Sequence, residues 1–222
     1  MVQPFTDKSI VGQWDPLAKR YLTITGTGQA LADAKKLMAR TPWKSGFSLD
    51  FDTTSGNPTR LAEEGVIASN WHRLGVTVNP TLVDPSVFFG SWDNGSPLQR
   101  GTFQAAMYTN GGPPDPDWLK TNLTSSYIDR LQTTHSATNL NQSGVRDPVL
   151  DRAFTAAAAT LDPAARGRDY ATVQRELNQK AYWTMLYFRP DIETNDGRVS
   201  NFILDPAYQS DWNIWNWRLA KH

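Results

Sequence analysis

The sequence predicts an α/β domain, with a mixed sheet flanked by helices in a three-layer sandwich. Three observations carry that expectation. Segments that alternate at period 2 and segments with apolar residues at helical spacing follow one another through the middle of the chain. An Asx-Pro pair recurs at Asn57, Asp115, Asp147 and Asp162; it offers a side-chain acceptor to the orphan N–H groups of a helix start and then a fixed φ. Gly101 to Trp118 (GTFQAAMYTNGGPPDPDW) reads as a short buried strand, a glycine-proline break and a helix start in succession. That order leaves backbone N–H groups free at one edge of a sheet, where open α/β folds place their ligands.

Taken in order, the first 28 residues have weak periodicity, with a turn at Gly12–Pro16 and a short strand predicted over Tyr21–Thr25. From Gln29 to Arg40, Leu31, Ala34, Leu37 and Met38 share one helical face, and Thr41-Pro42 stops the helix. Phe47 to Thr53 alternates, with Phe47, Leu49 and Phe51 on one face and Ser48, Asp50 and Asp52 on the other. That is a half-buried strand with solvated carboxylates. Asn57 caps a helix whose buried stripe is Leu61, Ile67, Trp71 and Leu74, with Gly75 at its C-terminal end. A strand restarts at Val76 and runs towards Val83. Asp84 to Arg100 is expected to be a loop, holding a short helix near Val87–Phe89 and a tight turn over Trp92–Gly95.

Thr102–Thr109 is the short strand of the central stretch, Gly111 to Pro114 breaks it, and a helix runs from Asp115 to Leu123. Residues 124–144 are rich in Ser, Thr, Asn and Gln and read as an irregular surface connection. Two helices follow. Asp147 caps the first, with Val149, Leu150, Phe154, Ala157 and Leu161 inside; Asp162 caps the second, with Tyr170, Val173, Leu177, Ala181 and Tyr182 inside. Strands are expected over Trp183–Phe188, over Phe202–Leu204, and in the aromatic run of Trp212, Ile214, Trp215 and Trp217. Neither an internal repeat nor a linker divides the chain, so residues 1–222 read as one lobe.

Composition narrows the function classes. A balance of 22 basic and 22 acidic residues gives no electrostatic case for nucleic acid or an anionic membrane surface. Nine Trp, seven Tyr and nine Phe serve equally as core filler and as platforms for a ligand. The absence of cysteine excludes thiol catalysis, disulfides and Cys-based zinc sites. No apolar run has the length needed to span a bilayer. The opening MVQPFTDKSIVGQW has neither a basic n-region nor an apolar h-region, so no signal peptide is expected within this chain.

Chemical motifs are few. There is no Gly-x-Ser-x-Gly elbow, no phosphate-cradling loop ending in Lys-Ser/Thr and no His-Glu-x-x-His. Asp115 and Asp117 form a carboxylate pair, better explained as an N-cap and a first-turn acid facing the helix dipole. His72 has no partner at catalytic spacing, and His135 lies in the polar stretch. A small hydrolase using Asp115 or His72 is the competing reading, and a self-associating interaction module is another. No metal and no cofactor is expected.

The run GFSLDFDTTSGNPTRLAEEGVIASNWHRLGVTV resembles the family 5 extracellular solute-binding proteins of ABC transporters, the peptide, nickel and oligosaccharide receptors. The shared pattern is a strand (Phe47–Phe51), a helix start (Asn57-Pro58), a helix with Ile67 and Trp71, and Leu74-Gly75-Val76 before the next strand. It continues through Phe103–Thr109, Pro114-Asp115-Pro116, NLNQSGVRDPVLD at Asn139–Asp151, and the helix carrying Arg166, Tyr170 and Gln174. The resemblance implies a periplasmic-binding-protein-like (type II) lobe, the C-terminal lobe with its return segment and without the N-terminal one. It further implies a periplasmic or extracytoplasmic location and an ABC permease as partner in the full-length context. Its ligand would be a small solute held in an inter-lobe cleft, and the face left by the missing lobe could pair with itself.

On this lobe the resemblance implies Thr54, Asn57, Trp92, Tyr108, Thr109, Asn110, Asp115 and Asn139 as ligand-binding residues. Peptide-binding relatives hold the ligand's amine with an Asp just before the Asp-Pro, and dipeptide binders hold its carboxylate with an Arg just before the Asn-Pro. Gly112 and Thr54 stand at those places on an ungapped reading. An unpaired buried peptide terminus costs several kcal/mol, so a neutral or polar ligand, or a longer peptide, fits better than a short zwitterionic one.

Overall fold

Phe47–Thr54 (β1) is the middle strand of a three-stranded sheet of order β2-β1-β3, with Val76–Val83 (β2) and Ala105–Ala106 (β3) both parallel to it. The computed structural model describes residues 28–113, 115–184, 186, 197–203 and 211–219. Strand β1 pairs along its whole length with β2, from Phe47 opposite Val76 to Thr54 opposite Val83, and Phe51 faces Ala105 on the other side. Pro80 sits in β2, an edge strand, where a missing N–H leaves no ladder bond unmade. Gly46 and Gly75 open the two strands with φ of +92° and +83°. A Cβ on Gly46 would stand 2.1 Å from the Gly75 carbonyl oxygen, so two glycines are what lets the strand starts approach.

Helix Pro58–His72 (α2) crosses from β1 to β2, after the N-terminal helix Gly28–Met38 (α1). Asn57 caps α2 by accepting from the Arg60 N–H at 3.1 Å, and Trp71 lays its ring edge-on against Phe51 at 5.8 Å. Two four-residue helices, Pro85–Phe88 (α3) and Pro97–Arg100 (α4), follow β2. They begin with the same device at Asp84-Pro85 and Ser96-Pro97, two more cap-proline starts than the Asx-Pro reading found. The tight turn at Trp92–Gly95 is present, closed by Gly95 N–H to Trp92 C=O.

Asp115 starts a 3₁₀ turn, Pro116–Leu119, that passes into helix Lys120–Leu123 (α5). Asp147 and Asp162 cap the long helices Pro148–Ala159 (α6) and Pro163–Lys180 (α7). These two pack around Leu150, Phe154, Ala157, Tyr170 and Val173, joined by Leu119, Leu123 and Val145. Phe154 and Tyr170 meet edge to face at 6.2 Å. A second apolar group, Phe51, Val76, Phe88, Leu98 and Met107, lies at the sheet.

Several expectations change. Alternation along β1 stops at Phe51: from there to Thr54 every residue is buried, because a central strand is flanked on both sides. Asp52 is therefore no solvated carboxylate; burial and the neighbouring Asp50 raise its pKa. The strand expected over Thr102–Thr109 shrinks to Ala105–Ala106, although Met107 N–H still reaches Asp52 C=O. Leu37 and Leu161, expected inside, are exposed.

Residues 124–144 are irregular as expected, with 3₁₀ turns at Ser125–Tyr127 and Asp129–Leu131, but they are not a surface connection: Thr124, Ile128, Asp129, Asn139 and Asn141 are buried. At the C-terminal end the described strands are Val199–Ser200 (β4) and Arg218–Leu219 (β5), an antiparallel ribbon separate from the parallel sheet. Phe202 and Ile203 are not in a strand, and a 3₁₀ turn at Ile214–Asn216 replaces the aromatic strand. Of the strand expected over Trp183–Phe188, the described Trp183, Thr184 and Leu186 are not in a strand; Met185, Tyr187 and Phe188, with the strand reading of Tyr21–Thr25 and Leu204, lie outside the described residues.

Candidate functional site

The parallel arrangement of β1, β2 and β3 gathers their carboxyl ends on one side, and a cavity of about 350 Å³ opens there. Two chain segments leaving the sheet build its wall. After β3 come Tyr108, Thr109 and Asn110; after β2 and the short α3 come Phe89, Gly90, Ser91 and Trp92. Gln99 of α4, Asn122 of α5 and the irregular stretch through Asp129, His135, Leu140 and Gln142 close it. Ligands of open α/β sheets sit outside the carboxyl ends of the strands because the N–H groups and side chains of the exits converge there.

The aromatic side is rigid. Tyr108 is held edge-on by Phe88 and Phe89, at 6.2 and 5.9 Å, and donates its hydroxyl to Gln142 Oε1 at 3.0 Å. Burial pushes the Tyr108 pKa up, so the phenol is a neutral donor and acceptor at physiological pH. The His135 ring lies flat on Trp92, 3.9 Å between centroids and 4° between planes. The Arg100 guanidinium is 5.8 Å from the same indole, and its Nε donates to the Trp92 carbonyl. His135 Nδ1 is 3.2 Å from Asp129 Oδ2, while Asp129 Oδ1 accepts from Asn139 Nδ2 at 2.9 Å. Asp129 is only 3% exposed. A buried carboxylate is thus held by two partners, as a buried charge must be.

Of the eight residues taken from the sequence, four line the cavity: Trp92, Tyr108, Thr109 and Asn110. Asn139 stands one bond behind it, orienting Asp129. The other three are occupied by the scaffold. Thr54 is buried and accepts from the Arg60 guanidinium, which also reaches Thr109 and lies 5.9 Å from the Phe89 ring. Asn57 spends its side chain on the α2 cap. Asp115 caps its turn and receives a two-pronged bond from Arg166, at 2.9 and 2.8 Å. Gln99, Asn122, Asp129, His135 and Gln142 were missed because they lie in short helices or in the stretch read as surface. The signal that could have found the last three is the apolar punctuation of that stretch, Ile128 and Val145, which marks a chain that turns inward.

Gly112 also has a structural explanation. A Cβ there would stand 2.4 Å from the Trp118 ring, so the indole already occupies the space of any side chain. The wall shows no assembled relay. Ser136 Oγ is paired with Thr138 and Ser91 Oγ accepts from the Asn94 N–H, so neither hydroxyl is committed to His135. His72 is exposed at the last turn of α2, and among the described residues no cluster of three metal-binding side chains occurs.

No protein-family model matches the sequence, and no curated protein matches it. Among solved structures, NikZ from Campylobacter jejuni in complex with Ni(L-His) superposes with a TM-score of 0.66 at 16% identity, over 84% of this chain and 38% of that one. The oligopeptide-binding protein from Thermus thermophilus, complexed with a pentapeptide, gives 0.66 at 18% identity, over 84% and 35%. The oligopeptide-binding protein AppA from Bacillus subtilis, in complex with a nonapeptide, gives 0.63 at 18%, over 86% and 37%. At these identities the fold is what is shared: α/β, of the periplasmic binding protein type II kind, as found in peptide and nickel substrate-binding proteins of ABC importers. The chain spans between a third and two-fifths of the length of these three.

Proposed function

We propose that this chain is the solute-recognition lobe of an ABC-import substrate-binding protein, corresponding to the C-terminal lobe with its return segment. In this reading it binds a peptide-like or other polar solute and catalyses nothing. One observation carries it: the cavity lies at the carboxyl ends of β2 and β3, walled by aromatic rings and amides. An aromatic wall with a few polar groups is what a small-solute pocket requires. The fold neighbours support it, since they are binding proteins seen with peptides or Ni(L-His). Their greater length supports the two-lobe arrangement, in which a second lobe supplies the opposite wall and hinge closure traps the solute. The place of action is then extracytoplasmic, with an ABC permease as partner.

With half of the contacts, the lobe alone should bind weakly, because the ordering cost of association is offset by fewer interactions. The test is titration of ¹⁵N-labelled protein with pools of tri- to pentapeptides. Millimolar-range shifts are expected at Phe89–Trp92, Tyr108–Asn110 and the 135–142 stretch. Silence from every pool, or shifts scattered over α6 and α7, overturns the reading. Sedimentation reports whether the face turned to the second lobe also joins two copies.

A further inference from the structure

We propose that Asn110 modifies itself: the Gly111 backbone nitrogen displaces the Asn110 side-chain nitrogen as ammonia, leaving a carboxylate on the cavity wall that favours cationic solutes. The chemistry stands on local geometry alone; its effect on binding rests on the reading of this cavity as a solute site. Asn110 is exposed and forms part of the wall. Its side chain folds back on the next residue, with the Gly111 N–H donating to Asn110 Oδ1 at 2.9 Å. The carbon to be attacked, Cγ, is one bond from that oxygen. No backbone carbonyl among the described residues holds the Gly111 N–H.

Gly111 is not a glycine that the fold demands. Its φ is not positive, and a Cβ there would meet no atom within 4 Å. Its neighbour Gly112 differs, since the Trp118 ring fills the space of a side chain. What a bare Cα at position 111 supplies is room for the nitrogen to close on Cγ. The other Asn-Gly pair of the sequence, Asn94-Gly95, is built the opposite way. Gly95 has a φ of +83°, and its N–H is committed to the Trp92 carbonyl at 3.0 Å. There the glycine serves the tight turn and its nitrogen is held.

The step balances with water as its only co-reactant. Base removes the Gly111 amide proton, the N–Cγ bond forms, the Cγ–Nδ2 bond breaks, and Nδ2 leaves as ammonia. Water then opens the five-membered imide at either of its carbonyls, giving aspartate or isoaspartate at position 110. Residues 109–113 are exposed, so the product is accommodated without disturbing the core. The wall gains a free negative charge. The described wall holds no lysine or arginine to neutralise it, and the carboxylate already there, Asp129, is engaged by His135 and Asn139.

The test ages wild-type protein in warm, mildly alkaline buffer and follows both Asn-Gly pairs by peptide mapping, a gain of one dalton marking each product. Asn110 should convert about fivefold faster than Asn94, the worth of the one hydrogen bond that Gly95 must first break. Gly111→Ala fits the available space, so it should keep the wild-type Tm and slow conversion at Asn110 alone. Conversion at Asn94 as fast as at Asn110 overturns the proposal, as does a Gly111→Ala protein with an unchanged rate or a Tm lowered by several degrees. Fresh, aged and Asn110→Asp proteins, ¹⁵N-labelled, are then titrated with tetra-alanine amide, which carries a free amine, and with its N-acetyl form. Aged and Asn110→Asp proteins should prefer the amine about threefold, as an exposed ion pair allows, and fresh protein should bind the two alike. Equal binding of both probes by all three proteins overturns the selectivity and leaves the chemistry standing. No cavity shift from either probe, in a protein that also ignores the peptide pools, overturns the selectivity and the solute site together.

Discussion

Replacing Asp115 with alanine separates its two assignments, a free acid in a cleft or a strut between the turn at Pro116–Leu119 and helix α7. The strut is visible in the geometry: Asp115 Oδ1 accepts from the Asp117 N–H at 2.9 Å while both carboxylate oxygens accept from Arg166. Arg166 continues the connection, its Nε donating to the Ala157 carbonyl and its NH2 group to the Tyr170 hydroxyl. A lost N-cap costs typically about 1 kcal/mol. The ion pair has side chains 30% and 54% exposed, so solvent screening holds its worth to about 0.5 kcal/mol. The sum of about 1.5 kcal/mol should lower Tm by about 4 °C in a chain of this size. Asp115→Asn keeps the cap acceptor and should lose only the smaller part.

The pH dependence carries a sign. The Arg166 hydrogen bond, foremost, holds the Asp115 carboxyl below its ordinary pKa. Its contribution is therefore complete above the unfolded-state value and disappears as pH falls through the folded one. The difference in Tm between wild type and Asp115→Asn should be full near neutrality and vanish towards pH 3, read by calorimetry. An Asp115→Ala protein with unchanged Tm and abolished solute binding would refute the strut and return Asp115 to the cleft.

Glu64 of α2 is 5% exposed with its pKa raised by burial, so its ionisation opposes folding: wild type keeps that stability below the unfolded pKa and loses it as pH rises. Glu64→Gln should gain on the order of 1 kcal/mol near neutral pH in urea unfolding, with the gain closing in acid. Asn141 binds the Thr124 and Val145 carbonyls and the Val145 N–H, so Asn141→Ala should cost about 3 kcal/mol and speed amide exchange across the 124–145 stretch. Gly112→Asp drives a side chain into the Trp118 ring and should cost about 1–3 kcal/mol by the same assay, without creating an amine site.

The elements that were legible in the sequence are those whose signal is local. Cap-proline pairs placed the starts of α2, α6 and α7, because an acceptor and a fixed φ act within one turn. Strands β1 and β2 were each legible as strand-like runs on either side of an apolar-striped helix, while their parallel pairing is a finding of the structure. What depends on partners was hidden. Alternation failed at Phe51–Thr54 because burial there is set by β3 and by α3, some 30 residues or more downstream. Candidate residues chosen from the exits of the sheet split by the same rule. Tyr108, Thr109 and Asn110 reached the cavity because they follow a strand end directly. Asn57 and Asp115 did not, because a side chain that caps a helix has already committed its oxygen.

Residues 124–144 show why a polar composition misleads. A chain rich in Asn, Gln, Ser and Thr can be solvated, or it can enter the interior by bonding its own backbone through its side chains, and composition does not distinguish the two. Here Asn141 makes three bonds that replace those of a regular element. Gln132 similarly serves the Ser126 and Ile128 carbonyls. The stretch becomes a fixed wall without being helix or strand, which is the form needed to bring His135 flat onto Trp92 and Gln142 to the Tyr108 hydroxyl. In this stretch the buried polar side chains of Asp129, Asn139 and Asn141 are bonded within the wall they build.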